Sequence, residues 1–243
     1  PENVVLHIRG EVGSEGTLKI RRAGEEDRDY VVQRATIQVH TVAGQMLPDT
    51  DGIGYIRIAS FSEHTADEFK EAYRALEKAG VKGMIIDLRE NPGGLVTSCV
   101  EIANMLVPKG PIVSVVQRDG TREEYDSALS EEKYPLVVLI DGNSASASEI
   151  LAGALQDTGA ATLVGKTSYG KGSVQVILPL YDDDALKLTI AKYYTPSGRS
   201  IDGTGIEPDI RVEPRTEGAQ DVQLLKAIDV MKGKLADVGA NVM

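Results

Sequence analysis

The 243-residue chain has one cysteine, no tryptophan, two phenylalanines and three histidines. A lone Cys99 closes no internal disulfide and leaves no cysteine-rich metal site. Set in the apolar-rich run 95–106, it is expected to be a buried small hydrophobe. His7, His40 and His64 stand apart without metal-ligand spacing, so no metal site is expected. Nothing in the sequence brings a histidine to a nucleophile. No run approaches the roughly 18 apolar residues of a membrane helix, and the N-terminus lacks a signal-peptide pattern. The chain opens in mid-pattern at Pro1, so any targeting segment would lie outside it. Basic charge is also short, with 26 Lys and Arg against 37 Asp and Glu for a net −11. That argues against nucleic acid as a partner, because phosphate binding needs a basic surface.

What remains is ordinary globular composition, 42% apolar and 26% charged, in a chain long enough for one large or two modest domains. Residues 1–43 read as part of a small β-rich module. A helix end at 4–8 is stopped by Gly10, and strands at 17–21 and 30–34 flank a turn at 23–25. These are too few elements to bury a core alone. Residues 45–52, with Pro48, Asp49 and Asp51, read as a loop or boundary. From Gly54 the pattern alternates. Strands are expected at 54–58, 81–88, 111–117, 136–140 and 162–164, and helices at 65–79, 95–107 and 149–156. Thr65 is read as the N-cap of the first helix and Gly80 as its stop. Such alternation implies a mostly parallel sheet with helices against it. After Gly172 the texture turns to strands at 173–180 and 186–194, and 222–234 reads as a closing helix.

Three segments carry chemistry. Ser144-Ala145-Ser146-Ala147-Ser148-Glu149 follows an apolar strand and opens a helix, where free backbone N–H groups favour negative charge. That suits a serine nucleophile and a tetrahedral oxyanion, although serines at such positions commonly just cap the helix. Twenty-five residues past Ser146 stands Gly170-Lys171-Gly172, with Gln175 four residues beyond the lysine. A lysine can activate a serine without histidine. An ordinary lysine amine is protonated at neutral pH, so the base must be buried and hydrogen-bonded, a part Gln175 could play. The alternative is a turn lysine pointing to solvent. Thirdly, Asp87 to Gly94 (Asp-Leu-Arg-Glu-Asn-Pro-Gly-Gly) leaves a buried strand, and its glycines could turn a backbone N–H into a pocket as half of an oxyanion hole. The N–H of Ala147 would be the other half. Residues 165–172 resemble a phosphate-cradling loop but lack the hydroxyl after Lys171, and a β-pattern follows where a helix is required. The acidic run 182–184 reads as a solvated hairpin tip and not as a calcium site.

Together these residues resemble the C-terminal processing peptidases, or tail-specific proteases, across about residues 54–213. Gly54-Tyr55-Ile56, Phe61-Ser62, Asp87 to Gly94, Ser144 to Ile150, Gly170 to Gly172 with Gln175, Tyr194 to Gly198, and Gly205 to Asp209 match that family's motifs in order and spacing. The resemblance implies an α/β core of crotonase and Clp-protease type at 44–243, preceded at 1–43 by the C-terminal half of a PDZ-like domain. It implies a serine endopeptidase acting near protein C-termini through a Ser146–Lys171 dyad and an acyl-enzyme. Gln175 would hold the lysine, and Ala147 with Gly93 or Gly94 would donate to the oxyanion. No cofactor is implied. Protein or peptide substrates bound through their C-terminal region are, in an extracytoplasmic compartment, with homo-oligomerisation left open. The family's carboxylate-binding loop and N-terminal helical region have no counterpart in the sequence. A catalytically silent peptide-binding module and a crotonase-like enzyme acting on thioesters are the alternatives.

Overall fold

The computed structural model describes residues 7–131, 133–180, 184–214 and 220–240. It divides into two compact units, Pro1–Val39 and His40–Met243, whereas the sequence suggested a change at 43/44. In the first unit β1 (Glu15–Ile20) and β2 (Arg28–Gln33) form an antiparallel hairpin with Thr17 opposite Val31. Its ends are gathered by Arg34, whose guanidinium donates to the Ile8 carbonyl (2.8 Å) and the Glu15 carbonyl (2.7 Å). Tyr30, Val31 and Val32 stay exposed, as expected of two strands with no sheet to join.

The second unit is built on a six-stranded sheet in the order β12-β9-β8-β5-β4-β3. Its strands are β3 (Val42–Met46), β4 (Ile53–Ile58), β5 (Gly83–Asp87), β8 (Leu136–Ile140), β9 (Ala161–Gly165) and β12 (Ile210–Arg211). Every neighbouring pair is parallel except β3 with β4. β5 and β8 are buried throughout, which is why both read as unbroken apolar runs. Their alternate residues serve two cores. Met84, Ile86, Val138 and Ile140 pack with α1 (Thr65–Lys78), α2 (Val96–Leu106) and α3 (Ala147–Asp157) through Phe69, Ile102 and Leu151. Ile85, Val137 and Leu139 pack on the other face against Ala227 and Met231 of α4 (Val222–Ala240). A four-stranded antiparallel sheet, β10-β11-β6-β7, joins β6 (Gly110–Gln117) and β7 (Arg122–Ser127) to the hairpin β10 (Ser173–Pro179) and β11 (Ala185–Tyr194).

The expected alternation is present, with four departures, one of them the two-residue edge strand β12, which the sequence did not announce. Residues 42–46, partly assigned to a loop, form the edge strand β3. Gly44 hid it, and a Cβ there would lie 2.9 Å from that of Ala72, so glycine is what lets α1 approach. β7 was missed because Arg-Glu-Glu-Tyr-Asp-Ser lacks an apolar face, and such charge is typical of a strand at a sheet edge. The N-cap of α1 is His64 and not Thr65, which is the first helical residue and whose hydroxyl accepts the Ser62 N–H at 2.7 Å. Gly80, at φ +78, ends that helix as expected. Two residues of the acidic tip, 182 and 183, and residues 4–6 of the first helix end lie outside the described residues.

Two polar clusters fix elements that frame the site. Asp87, with no exposed surface, ends β5. It accepts the Tyr55 hydroxyl at 2.6 Å and the Arg89 side chain at 2.6–3.1 Å. Arg89 reaches on to Asp221 at the start of α4, at 2.8 and 2.9 Å. Burial, and then the hydrogen bond to Asp87, push the Tyr55 phenol up to about 12. The second cluster holds the start of β3 to α1, because Glu68 accepts the N–H groups of Thr41 (2.8 Å) and Val42 (3.1 Å) and lies 2.8 Å from His40 Nδ1. Burial opposes the charge of Glu68, but these bonds outweigh it and hold its carboxyl below the ordinary value.

Replacing Arg89 with methionine leaves the buried Asp87 carboxylate with only the more distant Arg57, at 3.9 Å, as a cation. This should destabilise the unit by about 3–5 kcal/mol, read from urea unfolding. Glu68→Gln should cost about 1–2 kcal/mol at neutral pH. A carboxyl whose folded pKa is depressed stabilises above its unfolded pKa of about 4.3 and loses that contribution as pH falls through the lower folded value. The urea midpoints of wild type and Glu68→Gln should therefore converge in acid.

Candidate active site

β5 and β8 are parallel neighbours with Asp87 opposite Leu139, so the turns that follow them leave the same sheet edge. The turn after β8 sorts its three serines. Ser144 is fully buried, donating its hydroxyl to the Leu88 carbonyl (2.8 Å) and accepting the Asp141 N–H (2.9 Å). Ser148 is equally buried, with its hydroxyl on the Asn91 carbonyl at 3.0 Å. Ser146 is only half-buried and sits at φ 57, ψ −114, immediately before α3. A non-glycine residue held there stores about 1–3 kcal/mol of strain. Two serines thus fasten the turn, and the third is presented by it. The partly exposed, strained serine is the one the sequence singled out.

The turn after β5 is organised by Asn91, which is fully buried. Its amide donates to the Ile58 carbonyl at 2.8 Å, its side-chain oxygen accepts the Gly93 N–H at 2.9 Å, and its carbonyl accepts the Ala145 N–H at 3.0 Å. Gly93 lies flat against the nucleophile turn. A Cβ there would come within 2.6 Å of the Ala145 carbonyl oxygen and 2.8 Å of Ser146 Cβ. Gly94, at φ +144, would place a Cβ 2.0 Å from the Phe61 carbonyl oxygen, so only glycine fits. Ala147 is buried at the first turn of α3, where backbone N–H groups have no acceptor within the helix. Its carbonyl accepts the Cys99 thiol at 3.1 Å. Burial pushes that thiol up to about 12, in keeping with an inert small hydrophobe.

The glycines around Lys171 permit a close backbone approach. A Cβ on Gly172 would meet the Asp202 nitrogen at 2.2 Å, and one on Gly170 would meet the backbone of 203–205 at 3.1–3.3 Å. They let this loop lie against residues 201–205 and do not enclose the lysine. The Lys171 side chain is exposed, contrary to the dry setting that a base requires, and Gln175 is exposed on β10 opposite Thr189.

What joins the lysine loop to the serine turn is a residue to which the sequence reading gave no role. Glu149 has no exposed surface. One carboxylate oxygen accepts the backbone N–H of Ser146 (2.7 Å) and of Lys171 (2.9 Å). The other accepts the Gly170 N–H (2.6 Å) and the Ser168 hydroxyl (2.5 Å). The signal was present in the spacing Ser146-x-x-Glu149, which is that of a capping box. The Glu149 bond to the Ser146 N–H is the glutamate half of that box.

Residues 52–212 match the sequence profile of peptidase family S41. The carboxy-terminal processing protease CtpB of Bacillus subtilis is 42% identical over 233 residues, spanning 94% of this chain and 48% of that protein. The carboxy-terminal-processing protease of Bartonella bacilliformis is 44% identical over 219 residues, spanning 86% and 49%. The chain thus covers about half the length of these curated relatives. Among solved structures, a photosystem II D1 C-terminal processing protease superposes with a TM-score of 0.67 at 30% identity, over 95% of this chain and 63% of that one. With a parallel sheet that delivers a strained serine against a Gly-Gly turn, and with the profile matched over most of the second unit, the chain belongs to peptidase family S41.

Proposed function

We propose that the chain carries the catalytic core of a serine endopeptidase that cleaves protein substrates near their C-termini. The presentation of Ser146, held at positive φ by a turn whose other serines are both engaged, carries this reading. Lys171 accepts the Ser146 proton, the hydroxyl oxygen attacks the scissile carbonyl, and the proton passes to the leaving amine. Water then resolves the acyl-enzyme by the same route. The oxyanion is met by the N–H groups of Ala147 and Gly94. Gly94 is preferred because the N–H of Gly93 is engaged by the Asn91 side chain. An amine gives up its proton at neutral pH only when shielded from water. Lys171 therefore has to turn inward as substrate covers the site, with Gln175 orienting it.

The substrate docks as an extended strand, reading backbone more than sequence. β10, which carries Gln175 and forms an edge of its sheet among the described residues, offers one place for such pairing. Residues 1–43 are proposed as the C-terminal half of a PDZ-like domain that captures substrate C-termini. This is supported by a hairpin too small to bury its own apolar residues. An extracytoplasmic setting belongs to the same proposal and rests on the family resemblance. The exposure of Lys171 favours a second reading, a peptide-binding protein in which Ser146 only caps α3.

Ser146→Ala and Lys171→Ala should each lower turnover of casein by at least about 1,000-fold while leaving the fold intact. A serine-reactive phosphonate should label wild type at Ser146 and spare Ser146→Ala. Failure of wild type to label supports the binding-protein reading. Ser146→Gly, relieved of the strained φ, should be inactive yet about 1 kcal/mol more stable in urea unfolding.

A further inference from the structure

We propose that Glu149 is a positioning residue for this reaction, whose carboxylate keeps the nucleophile and its base in register by binding the backbone of both. The inference rests on the Ser146–Lys171 reading above and adds to it what holds the two halves together. Helix capping alone does not account for the arrangement. A capping glutamate needs one bond, to the N–H of the residue before the helix, and Ser146 supplies it at 2.7 Å. The other three donors, Ser168, Gly170 and Lys171, come from the loop 19–22 residues further along the chain. No described ion pair involves Glu149, so these donors are what compensates a carboxylate with no exposed surface.

The distribution over the two oxygens is specific. Oε2 takes Ser146 and Lys171, the two residues that exchange the proton, and Oε1 takes Gly170 and Ser168. Ser168 in turn accepts the Ile206 N–H at 2.7 Å, which carries the tie into the segment after residue 201. The backbone of Lys171 is thereby fixed against the serine turn even while its side chain is exposed. On this proposal the amine reaches the Ser146 hydroxyl by rotation of one side chain, the loop staying where Glu149 holds it.

The four contacts are all donors, which suits an acceptor-only carboxylate. Glutamine can keep its oxygen on Ser146 and Lys171. Its amide nitrogen then faces the Gly170 N–H, where one bond is lost, and the Ser168 hydroxyl, which can rotate to accept. Alanine loses all four. The test is steady-state cleavage of a casein peptide by wild type, Glu149→Gln and Glu149→Ala. It is paired with the phosphonate labelling rate and a thermal melt of each variant. A register error of about 1 Å costs about 100-fold in rate, so Glu149→Ala should lose about that much in kcat with KM within about threefold. Labelling should slow in parallel, and Glu149→Gln should fall between the two. Should Glu149→Ala not fold, a roughly tenfold loss of kcat in folded Glu149→Gln carries the result. Variants that label and turn over like wild type below their melting temperatures overturn the proposal. So does a loss explained wholly by the unfolded fraction or by KM. Wild type that neither cleaves nor labels overturns the catalytic reading itself, a different outcome from active wild type beside an undiminished Glu149→Ala.

Discussion

The parallel pairing of β5 with β8 ends both strands at one sheet edge, and the buried Asn91 then ties the turn after one to the turn after the other. Each polar group of the Asn91 side chain is engaged, its amide on Ile58 and its oxygen on Gly93, while its carbonyl serves both Ala145 and Ser148. Without that residue the Gly-Gly turn and the serine turn would be two loops at a sheet edge. With it they are one rigid body, and Gly93 packs against Ser146 closely enough to exclude any side chain. The usual rule that ligands of α/β sheets gather at the C-terminal ends of the strands has its local cause here.

The strain at Ser146 is tolerable because the surroundings leave the turn no alternative. Ser144 and Ser148 are hydrogen-bonded into the backbone on either side, and Glu149 grips the Ser146 N–H directly. Side-chain burial adds to this. Ala147, Ile150 and Leu151 sit in the main core, so α3 cannot rotate to relax the residue before it. Local strain of this kind persists where neighbouring contacts over-determine the conformation.

Much of this was legible in the sequence, and what was not has a physical reason. Apolar runs at 81–88 and 136–140 announced β5 and β8 because strands covered on both faces need no polar residues. Asn-Pro-Gly-Gly and the serine cluster announced the site because close backbone approach restricts residue choice to small side chains. The edge strands β3, β7 and β12 escaped, the first through a glycine that admits a helix, the second through the charges that suit an edge and the third through its length of two residues. The surroundings of Lys171 escaped for another reason. Glycines beside a lysine show that some backbone passes close, but not which, and here it is that of 201–205. Glu149 was visible as the fourth letter of a capping pattern, yet its bonds to Gly170 and Lys171 span 21 and 22 residues of chain, and spacing alone does not reveal a contact of that range.

The bridge from Asp87 through Arg89 to Asp221 has its long link between Arg89 and Asp221, 132 positions apart. At about 5–20 residues per second of synthesis, the helix carrying its far end follows Arg89 from the ribosome by roughly 7–26 s. Until then the guanidinium has only one of its two carboxylate partners, and the face of β5 that carries Ile85 lacks its cover of Ala227 and Met231. The strand that ends in the Gly-Gly turn is therefore finished late. A nascent chain would hold a serine turn before it held the anchored edge against which that turn must pack, so assembly of the site would trail translation.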